Sequence, residues 1–267
     1  MSIAEDGGDP APGRPRTRLT RVRDVPGVTL LPKRTLGIAG DARASTYSQV
    51  VEQIGSAICT HVLAPGSVIT VEDLEAATGA SRSVVREATR VLAVMGLLSA
   101  KKRVGLQVLE EQAWNLFDPQ VIRWRLEGPD RDAQVRALLE VRMAIEPEAA
   151  RLAAHNASPE QAGRIMSAAG NLWSTGLEGE QAAFLRDDAA FHALILLASG
   201  NPMFAKLSDV IHEALRERAL HQLQERPIDL HDAQLHVDLA GHIMGGRDQE
   251  AWRCAREIIE RNVGHQD

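Results

Sequence analysis

Gly79-Ala80-Ser81-Arg82-Ser83-Val84-Val85-Arg86-Glu87-Ala88-Thr89-Arg90-Val91-Leu92 is the stretch that decides the fold. Gly79 breaks the preceding segment, and Ser81 stands where a helix N-cap is expected. Val84, Val85, Ala88, Val91, Leu92 and Met95 then recur at helical spacing and predict one buried stripe. Arg82, Arg86 and Arg90 fall at i, i+4 and i+8, so they share the opposite face, with Ser83 beside them. Arginine can bond a guanine edge through both arms of its fork or clamp a phosphate. Lys101-Lys102-Arg103-Val104-Gly105 lies between the apolar pieces Leu97-Leu98 and Leu106-Gln107-Val108 and predicts a basic hairpin tip.

Upstream, Val50, Val51, Ile54, Ala57 and Ile58 predict a first amphipathic helix beginning near Tyr47. Pro65-Gly66 marks a turn after it, and Thr70-Val71-Glu72-Asp73 is a capping pattern for a short helix that ends at Gly79. Helix, short helix, glycine turn, helix and basic hairpin together predict a winged helix-turn-helix over residues 41–110.

The average charge points the other way. The chain has 267 residues and a net charge of −6, and a nucleic-acid binder needs a basic surface. Division by segment removes the conflict. Residues 1–40 carry seven basic and four acidic side chains, and residues 41–110 carry seven of each. Residues 111–267 carry sixteen basic and twenty-five acidic, so the acidity belongs to that part. Residues 82–103 hold six basic side chains and one acid, Glu87, a local net charge of +5.

Residues 1–40, rich in Gly, Pro and Arg, read as a mobile tail. Their cluster of Arg14, Arg16, Arg18, Arg21 and Arg23 fits either a solvated tail or phosphate contact. Neither a signal peptide nor a membrane span is expected, and two cysteines far apart, Cys59 and Cys254, fit the reducing cytoplasm. Aromatics make up 3% of the chain, which favours helix over an all-β fold. After a connector at 111–130, in which Trp114, Phe117 and Trp124 are expected to pack between domains, residues 131–267 read as helices. The predicted spans are 134–154, 159–175, 179–199, 202–224, 231–245 and 248–262, with Pro147 expected to kink or divide the first. The fold class is therefore mainly α: a winged helix-turn-helix followed by an all-helical bundle.

Within the bundle, Asp188 and His192 lie four apart on one helix face, and another helix carries His236. A carboxylate and an imidazole so spaced can chelate a divalent ion; helix pairing or capping accounts for the same pair. Arg142 can take a carboxylate through its fork or pair with Glu146 on its own helix. Three functions fit these residues: a ligand-responsive, dimeric DNA-binding regulator, a metal-dependent hydrolase acting on a sugar-acid derivative, and a partner protein whose helices only dimerise.

Leu63-Ala64-Pro65-Gly66-Ser67, Ser81-Arg82-Ser83-Val84-Val85-Arg86-Glu87-Ala88 and Gly96-Leu97-Leu98 resemble the signature of GntR-type transcriptional regulators. The resemblance implies that Arg82, Ser83 and Arg86 contact operator DNA and that the wing near Gly105 enters the minor groove, where Lys101, Lys102 and Arg103 also lie. One residue departs from the pattern: Glu72 stands where the family often has an arginine that contacts DNA.

Asp188-Ala189-Ala190-Phe191-His192 with the distant His236 resembles the helical ligand (FCD) domain of the FadR-like branch. That resemblance implies a divalent metal, zinc or similar, held by one Asp and three His. Asp188, His192 and His236 match three positions, and Arg256-Glu257-Ile258-Ile259-Glu260 stands where the last His belongs. The expectation is a three-ligand site completed by water or effector, or a weak site, with a metal-free pocket as the alternative. Leu139–Ala150 resembles the segment in which the residue at Arg142 pairs with an effector carboxylate. Trp114–Trp124 resembles the connector of galactonate-operon repressors and related sugar-acid regulators. The expectation is a homodimeric, cytoplasmic repressor, not an enzyme, that binds double-stranded operator DNA and answers to a small carboxylate, of sugar-acid type.

Overall fold

The computed structural model describes residues 46–222 and 228–263. The basic cluster Arg14–Arg23 and the rest of the expected tail lie outside the described residues. The N-terminal unit runs α1 (Thr46–Cys59), β1 (Val68–Ile69), α2 (Val71–Thr78), α3 (Arg82–Val94), β2 (Leu98–Lys101) and β3 (Gly105–Val108). Thr70 accepts a hydrogen bond from the Asp73 N–H at 3.1 Å, and the Asp73 carboxylate accepts from the Thr70 N–H at 3.0 Å, so the expected capping box starts α2. Gly79 ends it at φ +68°. Ser81 is at the N-cap of α3, but its hydroxyl bonds the Ser83 hydroxyl at 3.0 Å instead of capping the helix.

The three strands form an antiparallel sheet of order β1-β3-β2, with Val68 opposite Gln107 and Leu98 opposite Val108. Ile54, Ile58, Leu74, Val85, Leu92 and Leu97 make the centre of the core. Gly96 has φ +77°, and any side chain there would overlap the Ala113 carbonyl, which explains the Gly-Leu-Leu turn.

A 3-10 turn at Glu111–Ala113 leads to α4 (Pro119–Leu126), capped by Asp118, which accepts from the Gln120 N–H at 2.8 Å. This eight-residue helix packs in two directions. Val121 and Trp124 join the core of the N-terminal unit, whereas Ile122 and Leu126 pack with Leu138, Val210 and Ala214. Trp114 and Trp124 are buried, but with the core of the N-terminal unit instead of between the domains, and Phe117 is 59% exposed. Phe117 precedes the Asp118 cap, so it lies off the buried face of α4.

The helical bundle follows: α5 (Arg131–Asn156), α6 (Pro159–Glu178), α7 (Gln181–Ala198), α8 (Pro202–Ala205), α9 (Ser208–Gln222), α10 (Leu230–Met244) and α11 (Asp248–Val263). α5 packs chiefly on α11, and α6 on α7 and α10. Two expectations need correction. Pro147 does not divide α5, which continues through it. Its ring is buried in the bundle, and packing on both sides of the missing N–H holds the helix together. The span 202–224 is two helices, because Leu207 turns back on Phe204 through a 2.9 Å bond and packs against the cluster around Ile122 and Leu126. β1 was not foreseen; two residues carry no alternation to read. Alanines 149, 150 and 153 are fully buried and let helices approach closely, so the core needs few aromatics.

Gly55 on α1 lies under the indole of Trp124, and a Cβ there would overlap the ring. Gly55→Ala is expected to lower stability by about 1–3 kcal/mol through overpacking, measurable as a shifted urea midpoint. An unchanged midpoint would show that α4 is not seated on α1.

Candidate nucleic-acid interface and metal centre

α3 presents Arg82, Ser83, Arg86 and Arg90 on its exposed side, with Val85, Ala88 and Leu92 buried behind them. The three arginines are not equivalent. Arg82 donates to Glu72 at 2.6 Å, and Arg90 pairs with Glu87 at 2.5 Å. Arg86 is exposed and has no ion-pair partner among the described residues. Glu72, on α2, therefore sits beside α3 and holds Arg82. Both side chains are about half exposed (53%), so water screens the pair.

Lys101, Lys102, Arg103 and Val104 form the exposed wing tip, closed by a 3.1 Å bond from the Val104 N–H to the Lys101 carbonyl. Arg103 has φ +64° and Gly105 φ +123°. A Cβ on Gly105 would come within 2.9 Å of the Ile69 carbonyl, so glycine here lets β3 lie against β1.

The second constellation is buried. Three helices each supply two polar residues four apart: Arg142 and Glu146 from α5, Asp188 and His192 from α7, Asp232 and His236 from α10. None is more than 3% exposed. Asp188 Oδ1 lies 3.3 Å from His192 Nε2 and 3.1 Å from His236 Nε2. The outer ring nitrogens are engaged elsewhere. His192 Nδ1 is 2.5 Å from Glu146 Oε2, and His236 Nδ1 is 2.7 Å from the Asp232 carbonyl oxygen. Both acceptors require the ring proton on Nδ1, which leaves Nε2 of a neutral ring as a lone pair facing Asp188. Neither Nε2 makes a well-formed hydrogen bond. Ligands about 2.0–2.1 Å from a tetrahedral zinc stand about 3.3 Å apart, and the observed separations match. Were a cation held there, Glu146 and the Asp232 carbonyl would be the outer partners that orient its imidazoles. The donor set thus fits a divalent ion at the three predicted residues.

Sequence reasoning missed Glu146 and Asp232 as parts of this centre. The signal was there: the same four-residue offset occurs in three helices. Arg142 is 1% exposed and donates to Glu146 from Nε at 2.6 Å, so its fork is occupied by an internal carboxylate. Where a further His was absent, α11 turns Ile258 and Ile259 inward, both fully buried, while Arg256 and Glu260 pair at its exposed side. Phe191 packs edge-on against both imidazoles and keeps the centre dry.

The charges hold one another in place. Burial pushes the Glu146 carboxyl up, but Arg142 and His192 outweigh it and bring its pKa to about 2. Burial pushes His192 down, but Glu146 and Asp188 outweigh it and raise its pKa from 6.5 to about 9. Asp188 is likewise held well below its usual range by the two histidines, against its burial. His192 therefore contributes stability that is fully present below pH 6.5 and lost as pH rises through about 9. Glu146 contributes stability present above its ordinary 4.5 and lost as pH falls through about 2. Chelator-treated protein is expected to lose stability in urea melts between pH 6.5 and 9. His192→Gln should remove that loss; a flat wild-type profile over this window would contradict the coupling.

Residues 46–108 match the model of the bacterial regulatory proteins of the gntR family, and residues 137–261 match the FCD domain. The galactonate operon transcriptional repressor of Escherichia coli is 30% identical over 169 residues, covering 63% of this chain and 73% of that one. The HTH-type transcriptional regulator LutR of Bacillus subtilis is 31% identical over 160 residues, covering 58% and 70%. The structure of Lar, which controls expression of the Listeria monocytogenes agr system, aligns with TM-score 0.52 at 14% identity, over 84% of this chain and 95% of that one. At that identity the likeness concerns the fold alone. These matches are to transcriptional regulators, so the hydrolase reading falls. The chain belongs to the GntR family of bacterial transcriptional regulators, in the branch that carries a C-terminal FCD domain.

Proposed function

We propose that the protein is a cytoplasmic repressor that binds operator DNA as a homodimer and is controlled by a small carboxylate at the buried centre of its FCD domain. The observation that carries the reading is the pairing of an exposed arginine face on α3 with a three-helix polar centre whose ligand spacing suits a metal. A dimer presents two α3 helices to two half-sites about one DNA turn apart. Arg86, the α3 arginine with no ion-pair partner among the described residues, reads the major groove together with Arg82 and Ser83. Lys101, Lys102 and Arg103 neutralise phosphates beside the minor groove, and Gly105 lets the wing reach it.

Asp188, His192 and His236 would hold the cation, zinc by preference, which when bound supplies positive charge and an open position for an anionic oxygen. Arg142 supplies the second positive charge, and Glu146 keeps its fork in place until a ligand carboxylate competes for it. The relative named for the galactonate operon supports a sugar acid as that ligand. No helix among the described residues is long and apolar enough to cross a membrane. Release of the operator requires that the acid bind the two orientations of the DNA-binding units with different affinity.

Arg86→Ala is expected to weaken specific operator binding by about 1–3 kcal/mol, and Lys102→Ala to reduce the salt slope of binding by about one, both read by fluorescence anisotropy over a salt series. Galactonate, added with zinc, is the first probe for release. Equal losses on operator and random DNA for Arg86→Ala would mean that it serves the backbone only.

A further inference from the structure

The buried centre is not the only place where an imidazole meets two carboxylates. His61 follows the end of α1, Glu111 opens the 3-10 turn after the wing, and Asp130 is the residue immediately before α5. Glu111 and Asp130 are thus the two ends of the connector, nineteen positions apart, and both return to His61. His61 Nε2 lies 3.2 Å from Glu111 Oε1 and 3.4 Å from Asp130 Oδ2. One oxygen or nitrogen from each residue lies within 4.8 Å of the other two.

Each group is positioned by something other than its two neighbours. Asp130 occupies the N-cap of α5 but makes no capping bond, so its carboxylate is directed elsewhere. Glu111 gives its other oxygen, Oε2, to Arg125 Nη1 at 2.9 Å, leaving Oε1 for His61. Arg125 is anchored in turn by Gln134 at 2.7 Å and by the face of Trp114. The His61 ring stands edge-on to the same indole. His61 Nε2 is covered from solvent and makes no well-formed hydrogen bond, although carboxylate oxygens flank it on two sides. Separations of 3.2 and 3.4 Å bracket the roughly 3.3 Å expected between ligands of one tetrahedral zinc.

We propose that His61, Glu111 and Asp130 form a second divalent-cation site, separate from the centre in the FCD domain and placed where the winged unit, the connector and α5 meet. Zinc is the ion best suited to one nitrogen and two oxygens at this spacing, with water completing the shell. Two carboxylates offset the positive charge of Arg125 and leave an attraction for a cation. A bound ion ties the end of α1 to the start of α5 through three side chains and thereby fixes how the DNA-binding unit sits on the bundle.

The test is zinc binding by the full-length protein, stripped with chelator and titrated by calorimetry at pH 7.5. His61→Asn is the informative variant, because His61 has φ +63° and asparagine tolerates that backbone while offering no imidazole. Asp130→Asn removes a charge with little change of shape. Wild type is expected to bind one equivalent more than either variant, and its zinc-induced rise in melting temperature should be larger. His192→Gln should leave the His61 site intact, so loss of an equivalent in His61→Asn but not in His192→Gln would support this site even if the FCD centre binds nothing. Equal stoichiometry in wild type, His61→Asn and Asp130→Asn would overturn it and leave His61 a polar neighbour of two carboxylates with no ion between them. Zinc binding by wild type in no measurable amount would overturn it equally.

Discussion

Six ionisable groups buried at the meeting of α5, α7 and α10 impose the strictest constraint on this fold. Taking charges out of water is costly, and removing one member of a buried pair leaves the other uncompensated. The bundle answers this with an alternating chain: Arg142 on Glu146, Glu146 on His192, and His192 with His236 on Asp188. Each link joins residues four apart on one helix or crosses to the next, so the three helices are held in register as well as packed. The apolar shell of Phe191, Ile195, Leu239 and the buried alanines closes around it.

The same chain explains what the centre can sense. Both histidines have their outer nitrogens fixed by oxygen acceptors, so their inner nitrogens converge on one carboxylate oxygen. Such convergence is unfavourable between lone pairs and is relieved either by a proton on an imidazole or by a cation. The raised pKa of His192 describes the first state, and the ligand spacing describes the second. A cation bound there would displace a proton, so pH and metal would compete at the centre. The two units meet at α4, which gives Val121 and Trp124 to the core of the N-terminal unit and Ile122 and Leu126 to a small cluster with Leu138, Val210 and Ala214.

Much of this was legible in the chain itself. The capping pattern at Thr70, the stripe on α3 and the Pro-Gly turn at Pro65 each rest on local chemistry, and each element formed where that chemistry placed it. Asp188, His192 and His236 were legible as a cluster only through resemblance, because nothing local tells which helices become neighbours. What the sequence concealed depends on tertiary context. Pro147 is a helix breaker in isolation and is overruled by packing on both sides. Phe117 reads as core by type but precedes a cap and points outward. Glu146 reads as a surface partner for Arg142, because the i,i+4 offset does not reveal that the face is buried. Glu72 could be seen to depart from the family pattern, yet only the fold shows that it holds Arg82.

If Asp188, His192 and His236 form a cation site, zinc will occupy the point where their donor atoms converge. Crystals of the full-length protein grown with zinc, with data collected on both sides of the zinc absorption edge, test it most directly. An anomalous peak about 2.0–2.2 Å from Asp188 Oδ1 and from both Nε2 atoms is the predicted result. No peak there, with His192 protonated and bonded to Asp188 in its place, would contradict it.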